Sequence, residues 1–97
     1  MAMEQKKRNP IRAQREQLLT LVNGWDPAGL LQAGGTRDEY TRIIDPLLGL
    51  LTQSASNEEV ARFLEREIQN LFRVTPKDAS QFATRAITWF SLLSLER

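Results

Sequence analysis

The chain has 97 residues, 41% of them apolar and 26% charged, with a formal net charge of +1. That balance is ordinary for one globular domain with a single modest core. Cysteine and histidine are both absent, which excludes disulfides and thiolate metal sites and removes the commonest general base, metal ligand and pH switch.

The basic residues are unevenly placed. Residues 1–15 carry +4, through Lys6, Lys7, Arg8, Arg12 and Arg15 against Glu4, and the remainder carries −3. Residues 1–8 are expected to form a flexible basic leader, and residues 9–97 a single helical domain. No apolar stretch follows the leader, so it does not resemble a secretory signal. No run approaches the roughly 20 apolar residues of a membrane span, and the expected location is the cytoplasm.

The first helix is expected to begin at Asn9-Pro10, with Asn as N-cap and Pro at the first helical position. Ile11, Leu18, Leu19, Leu21 and Val22 give it an apolar stripe. It should stop near Asn23-Gly24. The stretch Asp26-Pro27-Ala28-Gly29 follows and suits a type I turn, while Pro27 drives Asp26 out of the helical region. Trp25 shares the face of Leu18, Leu21 and Val22 and is expected to plug one end of the bundle, with Leu30-Leu31 turning back over the core. Ala33-Gly34-Gly35 is expected to be the most flexible point of the folded part.

The second helix is expected to start at a capping box, Thr36 with Glu39, and to bury Tyr40, Ile43, Ile44, Leu47, Leu48 and Leu51. Pro46 should kink it or split it, since proline removes the hydrogen bond to Arg42 and crowds its carbonyl. The third helix opens on a second capping box, Ser56-Asn57-Glu58-Glu59, and buries Val60, Phe63, Leu64, Ile68, Leu71 and Phe72. Glu67 falls among these positions and needs either solvent or a basic partner, such as Arg42 or Arg85. The fourth helix is expected to start at Thr75-Pro76 and bury Ala79, Phe82, Ala83, Ala86, Ile87, Phe90 and Leu93. No alternating run argues for a strand. The fold class is therefore all-α: a single-domain, four-helix bundle-like fold with up-down connections.

Trp25-Asp26-Pro27-Ala28-Gly29-Leu30, followed by "RDEYTRIIDPLLGLL" and "EEVARFLEREIQNLF", resembles a family of small bacterial all-helical proteins of unknown function. Its members carry W-D-P-x-G-[VL] and then D-E-Y. The resemblance spans about residues 18–90. The chain departs from the pattern at Ala28, where the family has a β-branched residue, and a less rigid loop is expected there. The resemblance implies an all-α fold and an immunity-like role, binding a cognate toxin.

Two groups of residues are candidate sites. Trp25, Asp26, Asp38, Glu39 and Tyr40 would make an acidic, aromatic-rimmed pocket for a cationic group if the linker folds back. The simpler reading gives the acids to turn and helix caps and leaves the Tyr40 hydroxyl wet. The second group lies on the fourth helix. Trp89 and Leu92 fall beside its core stripe, Arg85 continues their ridge and Leu95 points elsewhere again. The last turns are thus apolar on more sides than one core requires, which marks a contact with another protein chain, a second copy or a cognate partner, or an end covered by the N-terminal leader. Paired carboxylates at helical spacing, a Ca²⁺ loop and a phosphate-binding glycine loop are all missing from the sequence, so no cofactor, metal or catalytic residue is assigned. The expected function is non-catalytic protein binding. The alternative is a nucleic-acid-associated accessory protein using the basic leader, disfavoured by the acidic body and by the absence of interleaved aromatics.

Overall fold

The structure is a computed structural model, and it describes residues 10–35 and 38–95. Four helices follow one another: α1 Pro10–Trp25, α2 Thr41–Thr52, α3 Asn57–Phe72 and α4 Ala79–Leu95. No strand occurs among the described residues. The leader, Asn9, Thr36 and the side chain of Leu95 lie outside the described residues.

The core follows the apolar periodicity closely. Leu18 and Val22 of α1, Ile43, Ile44 and Leu47 of α2, Val60, Leu64 and Ile68 of α3, and Phe82, Ala83 and Ala86 of α4 are all buried. Each fully buried large aliphatic or aromatic side chain contributes about 1.5–3 kcal/mol. The alanines at 83 and 86 let α4 lie close against its neighbours, because a short side chain lowers the ridge between two helices. Contacts between Arg15 and Asp45 and between Asp26 and Tyr40 show that α1 runs antiparallel to α2. Contacts of Trp25 with Phe82 and of Gln17 with Trp89 show the same for α1 and α4.

Helix ends are where the structure departs most from the sequence pattern. The capping box of α3 forms as expected: the Glu59 N–H donates to the Ser56 hydroxyl at 3.1 Å and the Ser56 N–H to the Glu59 carboxylate at 2.9 Å. By contrast, α2 starts at Thr41 rather than at Thr36, with Tyr40 in the capping position and no side-chain cap. Residues 38–40 form a tighter turn instead, in which the Thr41 N–H donates to the Asp38 carbonyl at 3.2 Å. Likewise, α4 starts at Ala79 rather than at Thr75-Pro76, and Pro76 is buried in the loop before it. Asp78 takes a left-handed conformation, φ 58°, and its carbonyl accepts the first helical bond, from Phe82.

α2 is not split at Pro46; it runs unbroken from Thr41 to Thr52. Both Pro46 and Arg42 face solvent, so water can satisfy the carbonyl that the proline leaves without a donor. Asp45 sits 2.8 Å from Arg15 in an exposed ion pair. Such pairs contribute little, about 0–1 kcal/mol.

α1 extends to Trp25, slightly beyond Asn23-Gly24. Asp26 leaves the helix in the left-handed region, φ 50°, rather than in the extended region that a following proline usually imposes. The expected turn closes through the Gly29 N–H and the Asp26 carbonyl at 2.9 Å. Gly35 has a specific geometric duty: a Cβ there would stand 2.9 Å from the Leu30 carbonyl oxygen.

Candidate functional site

The first candidate group divides into an internal lock and an external cleft. Tyr40 is fully buried, and its hydroxyl is not wet: it donates to Asp26 Oδ1 at 2.7 Å and accepts from the Ala28 N–H at 2.9 Å. Asp26 also accepts from the Leu31 N–H at Oδ1 and the Gln32 N–H at Oδ2, each at 3.1 Å. One carboxylate thereby caps the start of the 30–34 turn and holds the buried phenol. Ala28 is tied by its backbone to Tyr40 and packs against the core.

The electrostatics follow from this bonding. Partial burial pushes the Asp26 carboxyl upward, but the Tyr40 hydroxyl and the Leu31 and Gln32 N–H groups outweigh it and hold the carboxyl below its ordinary value. Burial, reinforced by the neighbouring Asp26 carboxylate, pushes the Tyr40 phenol up to about 12. The pair therefore stays as a neutral phenol donating to a carboxylate throughout the neutral range.

Trp25 has a different neighbour from the one its position suggests. Its ring stacks on Phe82 with centroids 4.4 Å apart and planes 9° from parallel, and its Nε1 donates to the Lys77 carbonyl at 3.0 Å. It is partly buried rather than sunk in the core. Beyond Phe82, the ring lines an open cleft of about 350 Å³ against Val74 and Asp78. Asp38 and Glu39 sit exposed on the turn before α2, so the structure sends them to solvent and gives Trp25 the 74–78 loop instead. That loop was missed in the sequence because its tie to Trp25 is a backbone carbonyl, which no side-chain pattern records.

The second candidate group lies along α4. Trp89 is partly buried, and its Nε1 donates to Gln17 Oε1 of α1 at 3.0 Å. Leu92 is 54% exposed, and Ile11, expected in the α1 stripe, is 64% exposed. In the antiparallel register both belong to the same end of the α1–α4 pair. Arg85 is exposed at the other end of the ridge, its guanidinium 5.9 Å from the Phe82 ring centroid. Ile87 and Phe90 line a shallow groove of about 280 Å³ with Leu51 and Ala55.

Charge separates α4 from the other helices. Arg85 is its only charged residue in 17, whereas the 16 residues of α3 include six charged ones. The outward side of α4 is thus built from Gln81, Thr84, Thr88, Ser91 and Leu92, all exposed. Glu67 remains partly exposed. Among the described residues no three acidic side chains gather as a metal site would require, and no helix is long and apolar enough to cross a membrane. Comparison with family models, curated proteins and solved structures finds no match.

Proposed function

We propose that the protein is a non-catalytic protein-binding module whose contact surface is the C-terminal half of α4, with Trp89 and Leu92 at its centre. The observation that carries this reading is an exposed leucine on a helix nearly devoid of charge. Charged residues are depleted at the centres of protein interfaces, where desolvating them is costly, and aromatic residues are enriched there. Trp89 is fixed by Gln17 and loses little conformational freedom on binding, which favours an anchor role. Ile11 extends the surface onto α1.

The partner is a second copy of the chain or a cognate protein; the resemblance to immunity-like bacterial proteins supports the cognate case. The test is sedimentation of the wild type and of Leu92→Glu, with each also assayed for co-purification with a partner expressed from the neighbouring gene. The wild type is expected to associate in one of the two assays and Leu92→Glu to lose that association while keeping its helicity. A wild type that is monomeric, binds no partner and matches the variant in both assays contradicts the reading. Leu92 is then one of the singly exposed apolar residues that ordinary surfaces carry.

A further inference from the structure

The cleft beside Trp25 has its own chemistry and lies at the opposite end of α4 from Leu92. The indole is held on one face by Phe82 and at its nitrogen by the Lys77 carbonyl, so it cannot reorient freely. Its remaining surface lines two adjoining clefts, of about 350 and 460 Å³, which share Trp25, Asp26 and Gln32. Two acidic residues, Asp26 and Asp78, line this space against one basic residue, Lys77, leaving one negative charge in excess. Asp26 Oδ2 accepts from the Gln32 N–H and retains a second lone pair. The bonds that hold Asp26 below its ordinary pKa keep it ionised at neutral pH.

These features select a ligand class. An anion would meet two acidic residues, and a purely apolar group against Pro27, Leu31, Val74 and the ring would desolvate them without pairing them. A cation meets the indole, the best aromatic surface for cation–π attraction, together with carboxylates at its rim. Among cations, a guanidinium fits better than an ammonium, because it is flat, weakly hydrated and donates in a fork that suits a carboxylate. The same aromatic pair already receives one guanidinium, that of Arg85 against Phe82. Two of the cleft's residues, Asp26 and Asp78, hold a left-handed backbone, at φ 50° and 58°. Such conformations are retained where surrounding structure enforces them, often around binding sites.

We propose that the cleft formed by Trp25, Asp26, Gln32 and Asp78 is a socket for an arginine side chain of a partner protein. The test uses the ¹⁵N-labelled protein and a capped tripeptide, acetyl-Gly-Arg-Gly-amide, followed by the indole N–H resonances. The chain has two tryptophans, and Trp89→Phe assigns the signal of Trp25. The arginine peptide is expected to shift the Trp25 signal saturably, the lysine analogue to bind more weakly, and the glutamate analogue to leave the signal unmoved. Asp78→Asn removes the charge while keeping a residue that tolerates the left-handed backbone. It should weaken arginine binding by about two- to fivefold, the range of one exposed charge contact. Lys77→Ala removes the competing ammonium but not the carbonyl and should tighten binding. A Trp25 signal that does not respond to the arginine peptide, responds equally to the lysine peptide, or responds alike in Asp78→Asn and wild type overturns the proposal. None of these outcomes depends on the Leu92 surface.

Discussion

Tyr40 donates its phenolic proton to Asp26 Oδ1 at 2.7 Å across fourteen residues of sequence, and this bond fastens the 26–35 connection to the N-cap of α2. The connection is otherwise rich in residues that resist a single conformation, with glycines at 29, 34 and 35. The bond supplies long-range order that local propensity does not, because its phenol is buried and both partners accept further backbone bonds.

Removing the hydroxyl leaves the Ala28 N–H without its acceptor and Asp26 without its strongest donor. Tyr40→Phe is therefore expected to destabilise the fold by about 1–3 kcal/mol, the range for a buried polar group stripped of its partner. Asp26→Asn should cost a similar amount. Because the two residues share one bond, the double variant should fall short of the sum by at least about 0.5 kcal/mol in urea denaturation. Additive losses would show that the two residues act separately.

The pH dependence has two arms of opposite sign. Tyr40 ionises in the folded protein near 12 rather than 10, so its contribution is complete below the unfolded value of about 10 and is lost as the pH rises toward 12. The chain has one tyrosine, so phenolate absorbance reads this group alone, and the midpoint should move down to the ordinary value on unfolding in urea. The Asp26 carboxyl is held below its ordinary value, so its contribution is present above the unfolded value and lost as the pH falls through the folded one. Asp26→Asn should accordingly flatten the acid limb of the thermal midpoint. An unchanged acid limb would assign that limb to other carboxylates.

Trp25 contributes a stack and a hydrogen bond that two substitutions separate. Trp25→Phe keeps an aromatic ring against Phe82 and loses the bond to Lys77, a loss of about 0.5–1.5 kcal/mol. Trp25→Ala loses both and should cost about 2–4 kcal/mol, less than a fully buried tryptophan because the ring is partly exposed. Equal midpoints for wild type and Trp25→Ala would make the ring a surface feature.

Pro46 is a predicted site of stabilisation. Pro46→Ala restores an N–H opposite the Arg42 carbonyl and relieves its clash, an effect of up to about 3 kcal/mol. The more flexible unfolded chain offsets about 0.4–1 kcal/mol of that gain. The thermal midpoint should rise; a fall would mean that the proline imposes a bend that the packing of α2 requires.

How legible these features were in the sequence depends on the range of the interactions that create them. The start of α3 was legible because Ser56 and Glu59 satisfy each other within one turn. The helix stripes were legible because period alone decides which side of Ile43-Ile44 or Phe63-Leu64 is buried. The start of α2 was not, since the tight turn at 38–40 displaces the helix to Thr41 and Tyr40 enters the core in a capping position. The start of α4 was obscured by Pro76, whose ring is buried in the loop rather than opening the helix. For the candidate sites, Asp26 with Tyr40 was a correct juxtaposition of residues, but its purpose, an internal lock, depends on burial. The tie of Trp25 to Lys77 spans 52 residues and uses a backbone acceptor, so neither spacing nor residue type reveals it. The surplus apolar surface of α4 was visible in outline, whereas the exposure of Ile11 at the same end needed the register of α1 against α4.

The central claim is that the end of α4 around Leu92 meets another protein, and a photo-crosslinking amino acid placed there reads this directly in the cell. Substituted at Leu92, on the nearly uncharged face, it is expected to give a discrete protein adduct on irradiation. Substituted at Glu65, an exposed position on the charged α3, it should give none. No adduct from position 92, or the same adducts from both positions, would contradict the account.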